Sequence, residues 1–179
     1  MSVHITYFVH GTTTDNEQGL ATGWNPGVLS PLGLQQAEEL RVIVEDKHFD
    51  AVFASDLKRA VEFSHLVFPT QKIMLDPRLR EANYGVFNGR PDQFKADAVQ
   101  FIQHPFPQGE SYKDVEKRIG EFIQMLKEKH NGKKVAIVAH QAPQLALGVL
   151  VQDKSWEQSI QEDWRKIGKW QPGWEYILS

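Results

Sequence analysis

Val3-His4-Ile5-Thr6-Tyr7-Phe8-Val9-His10-Gly11 starts as a run rich in β-branched and aromatic residues. It ends on a histidine, where Gly11 and Thr12-Thr13-Thr14 open a turn-rich stretch. Short apolar runs bounded in this way read as buried strands. Val135-Ala136-Ile137-Val138-Ala139-His140 repeats the arrangement, with an apolar strand leading directly into a histidine. In an open α/β sheet the carboxyl ends of the strands are where ligands bind, so two strand-end histidines mark a candidate site.

Working outward, residues 11–31 are rich in Gly, Thr, Asn, Pro and Ser and read as a long loop, a feature often tied to function. Leu34, Ala37, Leu40 and Val44 then recur at helical spacing. Asp50–Ala54 reads as a second buried strand, with Ser55 as the N-cap of a helix running to about Val67. Lys72–Leu75 is a short third strand, and residues 76–91, with Pro77, Gly85, Gly89 and Pro91, form another loop. Asp92–Gln103 reads as a helix stopped by Pro105 and Pro107. Ser111-Tyr112-Lys113-Asp114 reads as a capping box opening an amphipathic helix that ends near Asn131-Gly132. After strand 134–139 a helix starts at about Pro143, another covers Ser155–Ile167, and Trp174–Leu178 reads as an edge strand. Strands alternating with helices predict a single three-layer α/β/α sandwich over residues 1–179, built on a mostly parallel central sheet.

The chain has 179 residues, 41% of them hydrophobic and 24% charged, which suits one soluble domain with a substantial core. A net charge of −3 gives no reason to expect nucleic acid as a partner. Zero cysteines exclude disulfides, thiol catalysis and thiolate metal sites, and they fit a reducing compartment. No signal peptide and no membrane-spanning run is read, so a cytoplasmic location is expected, with oligomeric state left open.

Phosphoryl transfer to a side chain requires a nucleophile, donors for the phosphoryl oxygens and an acid for the leaving oxygen. His10 and His140 follow two strands, and Arg59 lies one helical turn past a third. A neutral imidazole attacks through one nitrogen while the other donates a hydrogen bond, and a guanidinium fork fits phosphate oxygens bidentately.

Through these residues the chain resembles the histidine phosphatase (phosphoglycerate mutase-like) superfamily. His10-Gly11 with Thr13 and Asn16 is similar to the family's Arg-His-Gly-x-Thr-x-x-Asn. Gly23-Trp24, Leu29–Gly33 and Gln36-Ala37 follow in order. So do Ser55–Ala60, Leu79–Gly85, Gly109–Ser111 and Val138–His140. The resemblance spans essentially the whole chain. It implies a phosphomonoester hydrolase in which His10 accepts the phosphoryl group and Glu81 is the acid and base. His140 is the second catalytic histidine, holding phosphoryl oxygens, and Arg59, Asn16, Thr13, Gln141 and Arg90 are the candidate phosphate or substrate contacts. It implies a small phosphorylated substrate, no cofactor and no metal.

Two positions depart from the pattern. Val9 stands where the family has arginine, and losing one such donor costs roughly 10²–10³ in kcat, or about 10³–10⁵ if it acts as an arginine finger. Gln141 stands where many relatives have glycine. Arg80, Arg90 and Lys58 are the candidates to replace the lost charge. The departure leaves three readings: an active phosphatase retuned at position 9, a silent relative that binds a phosphorylated ligand, and, least favoured, a phosphoglycerate mutase. His4, His48, His65, His104 and His130 read as structural or solvated. Trp24 reads as packing or as part of the site's mouth. Trp156, Trp164, Trp170 and Trp174 read as core packing around the last helix and strand.

Overall fold

The computed structural model describes residues 2–167 and 173–179. In chain order it runs β1 (Val3–Val9), α1 (Thr14–Glu17), β2 (Leu20–Ala21), α2 (Pro31–Val44), β3 (Ala51–Ala54), α3 (Lys58–Val67) and β4 (Ile73–Leu75). Short 3-10 turns and β5 (Arg90–Pro91) follow, then a 3-10 segment, Asp92–Phe101. The remainder is α4 (Tyr112–Lys129), β6 (Lys134–Ala139), α5 (Gln141–Gln152), α6 (Trp156–Gln161), a 3-10 turn (Trp164–Ile167) and β7 (Trp174–Leu178).

The main sheet has the order β4-β3-β6-β1-β7; its first three pairings are parallel, and β7 runs antiparallel to β1 on the edge. This is the expected α/β sandwich, because side chains along a strand alternate between faces. Val3, Ile5, Tyr7 and Val9 of β1, with Val135, Ile137 and Ala139 of β6, pack in the cluster that holds the buried residues of α4, α5 and α6. Phe8, Ala136 and Val138 join the opposite cluster with α2 and α3.

Gly11 and Gly33 show why the first loop needs glycine. A Cβ on Gly11 would meet Gly33 O at 2.6 Å, and one on Gly33 would meet Thr12 O at 2.0 Å. The start of α2 therefore lies directly against the residues that follow His10.

Several local expectations are corrected. Helix α3 begins at Lys58 with Leu57, not Ser55, at its N-cap, and Leu57 makes no side-chain cap. Ser55 Oγ instead accepts from Leu57 N and contacts the His140 ring. Leu34 is 43% exposed, and Gly33 and Gln36 take its place in the buried stripe of α2. The first loop contains α1 and β2, and Asp92–Phe101 is a kinked 3-10 segment with non-helical backbone at Asp97. Helix α5 starts at Gln141, which leaves Pro143 in its first turn, where a missing N–H costs least. The expected last helix is broken into α6 and a separate 3-10 turn.

Candidate active site

The parallel β1–β6 ladder pairs Val9 with Ala139, and His10 N continues it by donating to Ala139 O at 3.1 Å. His10 and His140 therefore leave the sheet side by side, with ring centroids 5.0 Å apart. His10 Nδ1 lies 2.7 Å from Gly11 O. A carbonyl only accepts, so Nδ1 carries the proton and Nε2 holds the lone pair. Arg59 Nε donates to that Nε2 at 3.1 Å. Burial first, and the Arg59 charge second, push the His10 imidazole down to about 3 against the raising effect of the Gly11 bond. The ring is thus neutral, with its lone pair turned toward a guanidinium.

His140 is fully buried. Its Nε2 is 2.8 Å from Ser55 Oγ, and among the described residues Nδ1 has no hydrogen-bond partner. Burial, Arg59 and His10 hold its ring well below the usual histidine range. The Tyr7 hydroxyl clamps its backbone, donating to His140 O at 2.7 Å and accepting from His140 N at 3.0 Å. Burial and the Glu81 charge push the Tyr7 phenol well above its ordinary value, so it remains a hydroxyl able to do both.

Arg59 is 2% exposed, the largest fully buried side chain of the molecule among the described residues. Its NH1 and NH2 donate to Asn25 O and Gly23 O at 2.9 and 2.8 Å. Together with the bond to His10, three of its five N–H groups are engaged. Glu81 sits at the N-terminus of α5, where three backbone N–H groups meet it. Ala82 and Ala142 each donate to Oε1 at 2.9 Å, and Gln141 donates to Oε2 at 3.2 Å. Its own carbonyl accepts from Trp24 Nε1 at 2.7 Å and Arg118 NH2 at 3.0 Å. These backbone donors fix the direction of the Glu81 side chain.

A cavity of about 280 Å³ opens at these strand ends, lined by Val9, His10, Asn16, Arg59, Glu81 and Gln141 among others. Ligand pockets start at roughly 300 Å³, so it suits a small ligand. Its outer wall holds Lys95 and Arg165, two cations that sequence reasoning missed. Gln141 links them: its Oε1 accepts from Lys95 Nζ at 3.3 Å, and its Nε2 donates to Asp163 Oδ2. Asp163 Oδ1 accepts from Arg165 NH1 at 3.0 Å, and Arg165 stacks on Trp164 with Cζ 4.5 Å from the ring. Burial lowers the Lys95 ammonium, opposed by the charge of Glu81.

The structure thus brings His10, Glu81, Arg59, Asn16 and Gln141 to one cavity, with His140 packed behind His10. It does not bring Thr13 there. Thr13 is fully buried and caps α1, exchanging bonds with Asn16, whose Oδ1 accepts from Thr13 N. Arg90 is exposed on β5, outside the cavity lining. The three residues considered as substitutes for the charge that the family resemblance implies at position 9 are also placed elsewhere. Arg80 is held by Asp56 through two bonds of 2.7 and 2.6 Å and stacks on Trp24, while Lys58, like Arg90, is exposed. Trp156 packs on Tyr112, and Trp164 and Trp174 pack together while Trp164 also lines the cavity. Trp170 lies outside the described residues. Lys95 and Arg165 gave no site signal because both segments read as helices, on which a single cation is indistinguishable from a solvated face.

Residues 7–165 match the family model of the histidine phosphatase superfamily (branch 1). The chain is 30% identical over 143 residues to an adenosylcobalamin/alpha-ribazole phosphatase of Escherichia coli (strain K12), covering 74% of this chain and 70% of that protein. It is 31% identical over 147 residues to a 2,3-bisphosphoglycerate-dependent phosphoglycerate mutase of Cytophaga hutchinsonii, covering 73% and 68%. The crystal structure of the alpha-ribazole phosphatase from Shigella flexneri superposes with a TM-score of 0.74 at 28% identity, covering 90% of this chain and 84% of that one. No helix among the described residues is long and apolar enough to cross a membrane.

Proposed function

The chain belongs to the histidine phosphatase superfamily (branch 1), and on that premise we propose that it hydrolyses a small phosphomonoester through a phosphohistidine at His10. The observation carrying this reading is the His10 ring itself: neutral, its Nδ1–H fixed on Gly11 O, and its Nε2 lone pair held at the cavity wall beside Arg59. A preset tautomer is what a nitrogen nucleophile needs.

In the first step the ester's phosphoryl group displaces the Arg59 Nε–H from Nε2. His10 Nε2 forms the N–P bond as the P–O bond to the alcohol breaks. Glu81, in its acid form, gives its proton to the departing oxygen. In the second step water attacks phosphorus, Glu81 takes the water's proton, and the P–N bond breaks to release phosphate and neutral His10. Arg59 follows the phosphoryl oxygens, and His140 supports the His10 ring from behind. Gln141 lies along the alcohol side, next to Glu81. Asn16 and Asp92 at the rim are exposed, so water reaches the cavity, which favours hydrolysis over transfer to a second acceptor. A cytoplasmic site of action belongs to the same proposal, supported by the absence of cysteine.

The test is hydrolysis of p-nitrophenyl phosphate between about pH 5 and 8, without added metal, with His10→Ala as the blank. Turnover above the blank, with one phosphoryl group trapped on the peptide that contains His10, is the expected result. No turnover, with inorganic phosphate still bound, would instead favour the silent binding relative that apolar Val9 suggests.

A further inference from the structure

The strand alternation that sends His10 toward α3 sends position 9 the other way. Val9 packs in the cluster of α4 and α5, the side of the cavity that also holds Ala82, Tyr84 and Ala142. Lys95 and Arg165 line the same cavity, and Lys95 lies against Tyr84, with Nζ 4.9 Å from the ring centroid. Their contacts show two cations of different status. Lys95 Nζ meets a neutral amide and an aromatic face, and no ion pair joins it to a carboxylate among the described residues. The charges of Glu81, Asp92 and Asp163 reach it only at a distance, so a half-buried ammonium in contact with neutral groups alone still gains from an arriving anion. Arg165 is aimed: Asp163, itself 7% exposed, holds NH1, Trp164 supports the guanidinium plane, and the side chain keeps 27% of its surface open. The charge of Arg165 is felt at both His10 and His140, where it lowers proton affinity.

We propose that Arg165, braced by Asp163 and Trp164 and flanked by Lys95, supplies the phosphoryl-binding cation that position 9 lacks. The inference rests on the phosphatase reading above and names how its oxyanion charge is met. Arg59 alone is poorly suited to the whole task, because three of its N–H groups already serve the protein. The two positions are also mutually limiting. An arginine at 9 would enter the cavity that Arg165 lines, and like charges at short range disfavour each other. Val9 and Arg165 thus act as a matched pair: one vacates the charge, and the other delivers it from the far end of the chain.

A double-mutant cycle tests this, reading inorganic phosphate binding by calorimetry alongside kcat and KM for p-nitrophenyl phosphate. The chains are wild type, Val9→Arg, Arg165→Gln and the double variant, with thermal midpoints as folding controls. Arg165→Gln is expected to weaken phosphate binding and lower kcat/KM by roughly 10²–10³-fold. Arg165→Lys, which keeps the charge and the Asp163 pair but loses the fork, is expected to fall between and covers the case where the glutamine variant is unstable. Val9→Arg is expected to weaken phosphate binding several-fold in wild type, where the new charge meets Arg165, but to recover about 10-fold or more in the Arg165→Gln background. Equal gains in both backgrounds, or phosphate binding indifferent to Arg165 in both variants, overturn the proposal while leaving the phosphatase reading intact. Arg165-dependent phosphate binding without turnover keeps the proposal and removes the hydrolase. No phosphate binding by wild type removes both.

Discussion

The inner and outer halves of the cavity are built by different physics. The inner half consists of strand ends and the starts of two helices, α3 and α5. The β1–β6 ladder sets His10 beside His140, the N-terminal N–H groups of α5 fix Glu81, and Arg59 is buried and tied at three nitrogens. The outer half consists of two 3-10 segments joined by side chains alone, in the chain Lys95–Gln141–Asp163–Arg165. Backbone ladders and burial fix the chemistry, and a side-chain network on short turns fixes the charge that meets the ligand. A reaction centre tolerates little displacement, whereas an anion-binding wall adapts.

That contrast is best broken at its strongest point. Glu81→Gln keeps the shape and two acceptor sites but removes the proton carrier. With an alkyl phosphate, kcat is expected to fall by roughly 10²–10⁴. With p-nitrophenyl phosphate, whose leaving oxygen needs little protonation, the loss should be much smaller. Steady-state kinetics on both esters decides it, and equal losses would mean that Glu81 does not protonate the leaving group.

The inner half also predicts a pH signature of folding. The native His10 ring titrates at about 3 and that of His140 well below its usual range. In the unfolded chain both titrate near 6.5. Below about pH 6.5 the unfolded state therefore binds protons that the native state refuses, so stability is full above that pH and falls as pH drops toward 3. The slope is at most about 1.4 kcal/mol per pH unit for each histidine. Urea denaturation at several pH values measures it, and His10→Gln should flatten it by about half. An unchanged slope in that variant would show that other groups carry the acid sensitivity.

The smallest effect is expected outside both halves. Arg90→Ala, on an exposed two-residue strand, should shift stability by no more than about 0.5 kcal/mol and leave KM unchanged. A several-fold rise in KM would extend the binding wall to β5 and weaken the contrast between the two halves.

How much was legible in the chain follows the same division. The strands Val3–Val9 and Lys134–Ala139 and the capped helix after Ser111 were readable because each is specified by neighbours in sequence: apolar runs and a capping box. His10 and His140 were readable because they sit at the ends of such strands, whereas Glu81 and Arg59 were readable only through the family resemblance of the segments around them. Ser55 misled because its hydroxyl meets the His140 ring, 85 residues away, and the Leu57 N–H ahead of the helix, rather than an N–H within the helix. Asp92–Phe101 misled because apolar spacing does not tell a 3-10 segment from an α-helix.

By itself, then, the sequence determined the alternation of strands and helices and the strand-end histidines, since period-2 and period-3.6 patterns and local caps are properties of consecutive residues. Only the tertiary structure decided that Thr13 caps a helix, that Arg80 is spent on Asp56, and that Lys95 and Arg165 face the cavity from segments 70 residues apart. Burial and side-chain pairing are set by long-range packing, and no local periodicity encodes which charge is left facing a ligand.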